Sequence, residues 1–231
     1  MGTTPGDRGR FPGYDVMGQA SHWDSVTREA VERRLGPPPP PRFFSREEEA
    51  TCRPLLDLLL AQWSEPKVPV FEMVDARLVE NRTDGYRYED MPPDGEAWKA
   101  SLAALERLAR ERKQSVFHAL SREEQVDLLE SVRTGDRLGE LPAKRTWSLW
   151  LRYACSAFYA HPWAWTEIGF GGPAYPRGSK NVGLGAREPW EVREVDARSP
   201  VAWGERVERA RREQRLRDGG EIRVLHQETG E

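Results

Sequence analysis

His161 and Glu167 are the pair whose types and spacing best fit acid–base chemistry: an imidazole that titrates near neutrality, with a carboxylate close by to orient it. They lie in Tyr159-Ala-His161-Pro162-Trp163-Ala-Trp165-Thr-Glu167-Ile-Gly169-Phe-Gly171-Gly172-Pro173-Ala-Tyr175-Pro176, where several rings are available to stack on a sugar. One reading is therefore a stand-alone enzyme using His161 and Glu167 on a sugar-like substrate. A histidine placed before a proline at a helix end also fits a structural task, capping the last carbonyls at the negative end of the helix. The residue types favour that second role.

Other chemistries lack their residues. Di-iron bundles need Glu-x-x-His pairs, zinc hydrolases His-Glu-x-x-His and covalent haem Cys-x-x-Cys-His, and none of these occurs. Gly169, Gly171 and Gly172, and separately Gly183 and Gly185, do not complete a dinucleotide fingerprint between a strand and a helix. Cys52 and Cys155 match no metal or redox spacing, and both fall in apolar helical patterns that predict buried, reduced thiols. Asn81-Arg82-Thr83 has the form of a glycosylation acceptor but no secretory leader accompanies it. No catalytic, metal-binding or cofactor-binding residue is assigned on these grounds.

The 231 residues carry a net charge of −3, with 38% hydrophobic and 32% charged residues. That balance fits a polar globular protein and argues against general affinity for nucleic acid phosphates. No apolar run is long enough to span a bilayer, and the polar first ten residues hold neither an apolar leader core nor a twin arginine. The expectation is a cytoplasmic protein, unless a partner carries it out.

Hydrophobic spacing predicts an all-α protein. Ser21-His-Trp-Asp24 reads as a capping box opening a helix that ends at Leu35 and Gly36, and Pro37 to Pro41 then form a polyproline strut of ~15 Å. The body begins at Ser45-Arg-Glu-Glu48, a second capping box, with Cys52, Leu55, Leu56, Leu59, Leu60 and Trp63 at helical spacing and Pro54 predicting a kink. Further helices are predicted from Pro69 (Val70, Phe71, Val74, Leu78), from Asp94 (Trp98, Leu102, Leu105, Ala109), from Ser121 (Leu128, Leu129, Val132) and from Pro142 (Trp147, Trp150, Leu151, Ala154, Phe158). The prolines and glycines after Tyr159 predict a shaped loop that is neither helix nor strand. A charged helix is expected from Ser199 to about Arg217. This divides the chain into an arm (1–36), the strut (37–41), a helical domain (42–193) and a charged tail (194–231).

Aromatic side chains on an irregular loop fill a pocket, either in their own core or in another protein. Tryptophan and tyrosine dominate binding hot spots, which makes an interface role plausible for Tyr159, His161, Pro162, Trp163, Trp165, Gly169, Gly172, Pro173, Tyr175 and Pro176. Phe11, Tyr14 and Trp23 on the tethered arm join this set, because an arm reaching a remote patch raises affinity through effective concentration. A helical interaction module without redox chemistry would use the same residues.

The segment from Tyr159 to Gly169 with Gly172-Pro173-Ala-Tyr175-Pro176 resembles the gluconate 2-dehydrogenase subunit 3 family. The likeness also takes in Phe43-Phe44-Ser45 with Glu47, Glu48 and Glu49, and Phe117, Leu120 and Gln125, and so covers about Phe43 to Arg193. It implies a small, non-catalytic, chaperone-like helical subunit. Its partner would be a large FAD-dependent dehydrogenase of the glucose-methanol-choline (GMC) group, oxidising sugars, sugar acids, glycosides or alcohols, often with a cytochrome subunit. The flavin would belong to the large subunit. Many members carry a twin-arginine signal, which this N-terminus lacks.

Overall fold

The computed structural model describes residues 10–193 apart from 12, 64, 180 and 182–186. The charged helix expected near Ser199 to Arg217 lies outside the described residues.

The architecture is all-α with one minimal hairpin. The order is α1 (Ser25–Glu32), α2 (Arg46–Leu60), α3 (Val70–Val79), α4 (Asp94–Lys113), α5 (Arg122–Thr134), β1 (Arg137–Leu138), β2 (Leu141–Pro142), α6 (Ala143–Phe158) and α7 (Pro162–Ile168). The strands pair antiparallel, Arg137 with Pro142 and Leu138 with Leu141. The capping boxes at Ser45 and Ser121 both form, each serine accepting from the amide three residues on while that glutamate accepts from the serine's own amide. Helix α2 runs through Pro54 without a break. Proline in a helix interior costs ~3 kcal/mol, and burial of its neighbours Leu55 and Leu56 offsets this at ~1.5–3 kcal/mol each.

The main core is built where α2, α3, α4 and α5 meet α6, with Leu55, Leu56, Trp98, Leu102, Leu105 and Trp150 fully buried. The Trp150 indole donates to Ser101 Oγ at 2.9 Å, and that hydroxyl donates to the Trp98 carbonyl at 2.8 Å, so α4 and α6 share a satisfied polar link inside apolar surroundings. The buried face of α6 is turned from the expected one. Leu149, Trp150, Tyr153, Ala154 and Ala157 are buried, while Trp147, Leu151 and Phe158 are half-buried at its borders, because α5 and α3 pack on both flanks of the helix. Cys52 is buried and its thiol is pushed well up by desolvation, but Cys155 is only half-buried. Trp63, expected on the buried side of α2, is exposed under the Arg122 guanidinium.

The N-terminal helix starts later than its pattern suggests. Asp24, not Ser21, is the N-cap of α1, accepting from the Thr27 amide at 2.7 Å, and a 3-10 turn occupies Val16–His22. Beyond α1 the five prolines are exposed and outside any helix or strand. The chain re-enters the body at Asp75, a buried carboxylate of α3 that accepts from the amides of Arg42, Phe43 and Phe44 at 2.7, 2.9 and 3.0 Å. Three charge-assisted hydrogen bonds on one side chain fix where the strut ends and α2 begins.

Candidate partner-binding surface

The stretch expected as an irregular loop contains a helix. Proline is well suited to the first helical position, where its missing amide has no intrahelical partner, and Pro162 takes it in α7. His161 is the N-cap, and its Nδ1 accepts from the Trp163 amide at 3.2 Å. It therefore caps the start of the following helix as an acceptor, not the end of α6 as a donor. Gly169 ends α7 with φ +72°, a left-handed angle that glycine adopts without strain.

Two tryptophans two residues apart on a helix point about 200° apart. Trp163 accordingly packs half-buried against the main core, with the His161 ring 4.8 Å away, while Trp165 enters a second, smaller cluster with Val16, Trp23 and Val31 from the arm. The arm is seated on α7 and the loop after it. Val16 donates its amide to Thr166 Oγ1 (3.2 Å), Tyr14 its hydroxyl to the Phe170 carbonyl (2.9 Å), Arg34 its guanidinium to the Ala160 carbonyl (2.7 Å) and Arg10 its amide to Glu167 (3.2 Å). Arg177 links Gln19 and the Gly171 carbonyl at 3.0 and 2.9 Å and stacks on Trp190. Burial pushes the Tyr14 phenol up to about 12.

This seating relocates much of the expected binding set. Phe11, Trp23, His161, Pro162, Trp165 and Gly172 are buried within the chain, and Tyr14, Trp163, Gly169 and Pro173 are half-buried. Tyr159, Tyr175 and Pro176 remain exposed. The arm does not reach toward a remote patch; its rings are consumed by its own chain, because Trp165 and the glycines after it form the hollow that receives Phe11 and Trp23. Two residues that the ring pattern did not single out are exposed as well, Ile168 at the end of α7 at 48% and Phe170 just after it at 47%, in addition to Tyr159 at 49% and Tyr175 at 65%. Arg34, Thr166 and Arg177 were also missed as the arm's anchors. Each is a common polar residue that only contact across more than 120 positions makes important.

The acid–base reading of His161 finds no support in this geometry. The imidazole is 2% exposed, its Nδ1 is occupied, and burial lowers its pKa to about 4 against a smaller opposing pull from hydrogen bonding to the Arg34 backbone. Glu167 stands six residues on and takes the amide of Arg10 instead. The glycines are equally unsuited to a nucleotide. A Cβ on Gly172 would lie 2.6 Å from Trp23, one on Gly169 2.6 Å from Phe11, and one on Gly171 2.5 Å from Trp190, so rings fill the space a phosphate cradle would need. Among the described residues no three His, Cys, Asp or Glu side chains are grouped to hold a metal ion, and no helix is long and apolar enough to cross a membrane.

The family model described as gluconate 2-dehydrogenase subunit 3 matches residues 46–172, which takes in the body from α2 through α7 to Gly172. The chain belongs to the gluconate 2-dehydrogenase subunit 3 family. No curated protein and no solved structure matches it. As a member of a subunit 3 family it has the place of an accessory subunit in a dehydrogenase complex, one component of a hetero-oligomer. The match stops short of the arm and strut at one end and of Pro173 to Pro176 at the other, so the cover on Trp165 comes from chain outside the matched segment.

Proposed function

We propose that this subunit 3 family member binds and stabilises a large FAD-dependent dehydrogenase of the GMC type, itself contributing no catalytic group. The substrate class is sugars, sugar acids, glycosides or alcohols, and the flavin and its proton-abstracting base reside in the large subunit, which passes electrons onward to an acceptor such as a cytochrome subunit. Family membership supports the subunit role. The observation that carries the choice of surface is the set of four large apolar side chains left exposed around α7: Tyr159, Ile168, Phe170 and Tyr175. Exposed rings on an ordered scaffold lose little conformational entropy on binding and supply much apolar area. The arm matters here as the rigid backing of that surface, holding Phe170 through the Tyr14 bond to its carbonyl.

Co-expression of the chain with its cognate large dehydrogenase subunit tests this reading. The expected result is one complex with FAD bound, and a large subunit that is insoluble or flavin-poor when made alone. A soluble, fully flavinylated and active large subunit in the absence of this chain contradicts it.

A further inference from the structure

We infer that the polyproline strut is itself a contact for the dehydrogenase subunit, received by a groove lined with aromatic side chains and closed at one end by carboxylates. The inference rests on the proposed function, which supplies the partner, and adds a second point of attachment to it. Pro37 to Pro41 are all exposed, and none of their carbonyls accepts a hydrogen bond among the described residues. Proline has no amide to donate, so the segment offers a row of solvent-facing acceptors, free of protein donors, between apolar rings. Aromatic grooves that bear indole N–H or phenol O–H donors recognise that combination.

Two further features separate this segment from a passive spacer. It is held at both ends, by the Arg34 bond to the Ala160 carbonyl upstream and by the three amides on Asp75 downstream. A spacer would be needed to let the arm search for a partner, yet the arm is already seated on α7. A strut pinned at both ends presents a preformed polyproline conformation, and little entropy remains to be lost on binding. The second feature is charge. Arg42 follows the prolines directly, is exposed, and forms no ion pair among the described residues, whereas Arg46 is engaged electrostatically by Glu47. The Arg42 guanidinium at the downstream end of the strut fixes its orientation in a groove whose matching end is acidic.

The test uses the co-expressed complex with the full chain. Pro39→Cys in a Cys155→Ser background is labelled with a maleimide, free and in the complex, and labelling is expected to slow at least tenfold in the complex. In parallel, the Pro38→Ser/Pro39→Ser/Pro40→Ser chain is expected to keep its circular dichroism and melting temperature while its complex dissociates on dilution at about tenfold higher concentration. Unchanged labelling together with an equally tight complex overturns the inference and leaves the proposed function standing. If the wild-type chain forms no complex with the dehydrogenase subunit, both fall.

Discussion

Replacing Trp23 by alanine should release the arm and leave the body folded. Trp23 is 3% exposed and sits in a cluster with three other buried residues among those described, with one edge against Gly172. A tryptophan buries ~150–250 Å², which at ~25 cal/mol per Å² is ~4–6 kcal/mol, and measured Trp→Ala costs run to ~3–5 kcal/mol. The arm's hydrogen bonds through Val16, Tyr14 and Arg34 each add only ~1 kcal/mol, so they cannot replace the lost burial. A loss of ~4 kcal/mol multiplies the arm-opening equilibrium by ~10³. Hydrogen exchange reads this directly: amides of Val16 to Glu32 should lose about three decades of protection while those of α2, α4 and α6 keep theirs. Protection lost equally in the main core, or unchanged in the arm, would refute the claim that the arm is an independently seated unit.

Three other outcomes follow from single side chains. Above pH 6.5 His161 is neutral in both the folded and unfolded states; below it the unfolded chain takes a proton first, so stability should fall by at most ~3 kcal/mol between pH 6.5 and about 4, a slope that His161→Gln should remove in urea titrations across that range. Asp75→Asn leaves an amide that can accept from the Arg42, Phe43 and Phe44 groups only through one oxygen, and should cost ~3 kcal/mol of stability, read as a lower urea midpoint, with an unchanged midpoint refuting its role as the anchor of α2. Gly172→Ala combines a φ of +74° with a Cβ 2.6 Å from Trp23 and should loosen the arm by ~2 kcal/mol or more, read as faster proteolysis within residues 13–36.

The helices of the body were legible because their causes are local. Ser45 and Ser121 carry their own capping partners three residues on, and Trp98, Leu102, Leu105 and Ala109 repeat at the helical period and are all buried. The rotation of α6 was less legible, since Tyr153 and Trp147 are both plausible core residues and only the positions of α3 and α5 decide between them. The site was half legible. The run of rings and glycines marks the segment that receives the arm, but Pro162, which in such a run looks like a helix breaker, is a helix starter at the first helical position. Whether Trp165 faced the partner or the chain depended on Val16, Trp23 and Val31, more than 130 residues away, and no local pattern carries such a pairing. The four residues that remain outside, by contrast, look no different in sequence from those that are covered.

The central claim concerns that outer face, and Tyr159→Ser/Phe170→Ser/Tyr175→Ser tests it most directly. All three positions are about half exposed or more, so the melting temperature and helical circular dichroism of the chain should stay close to wild type. Hot-spot rings contribute more than ~1 kcal/mol each, so the dehydrogenase subunit recovered with this variant, and the FAD it carries, should fall by roughly 100-fold. Recovery of the flavin-loaded complex at wild-type yield from a well-folded variant would show that the surface around α7 is not where the dehydrogenase binds.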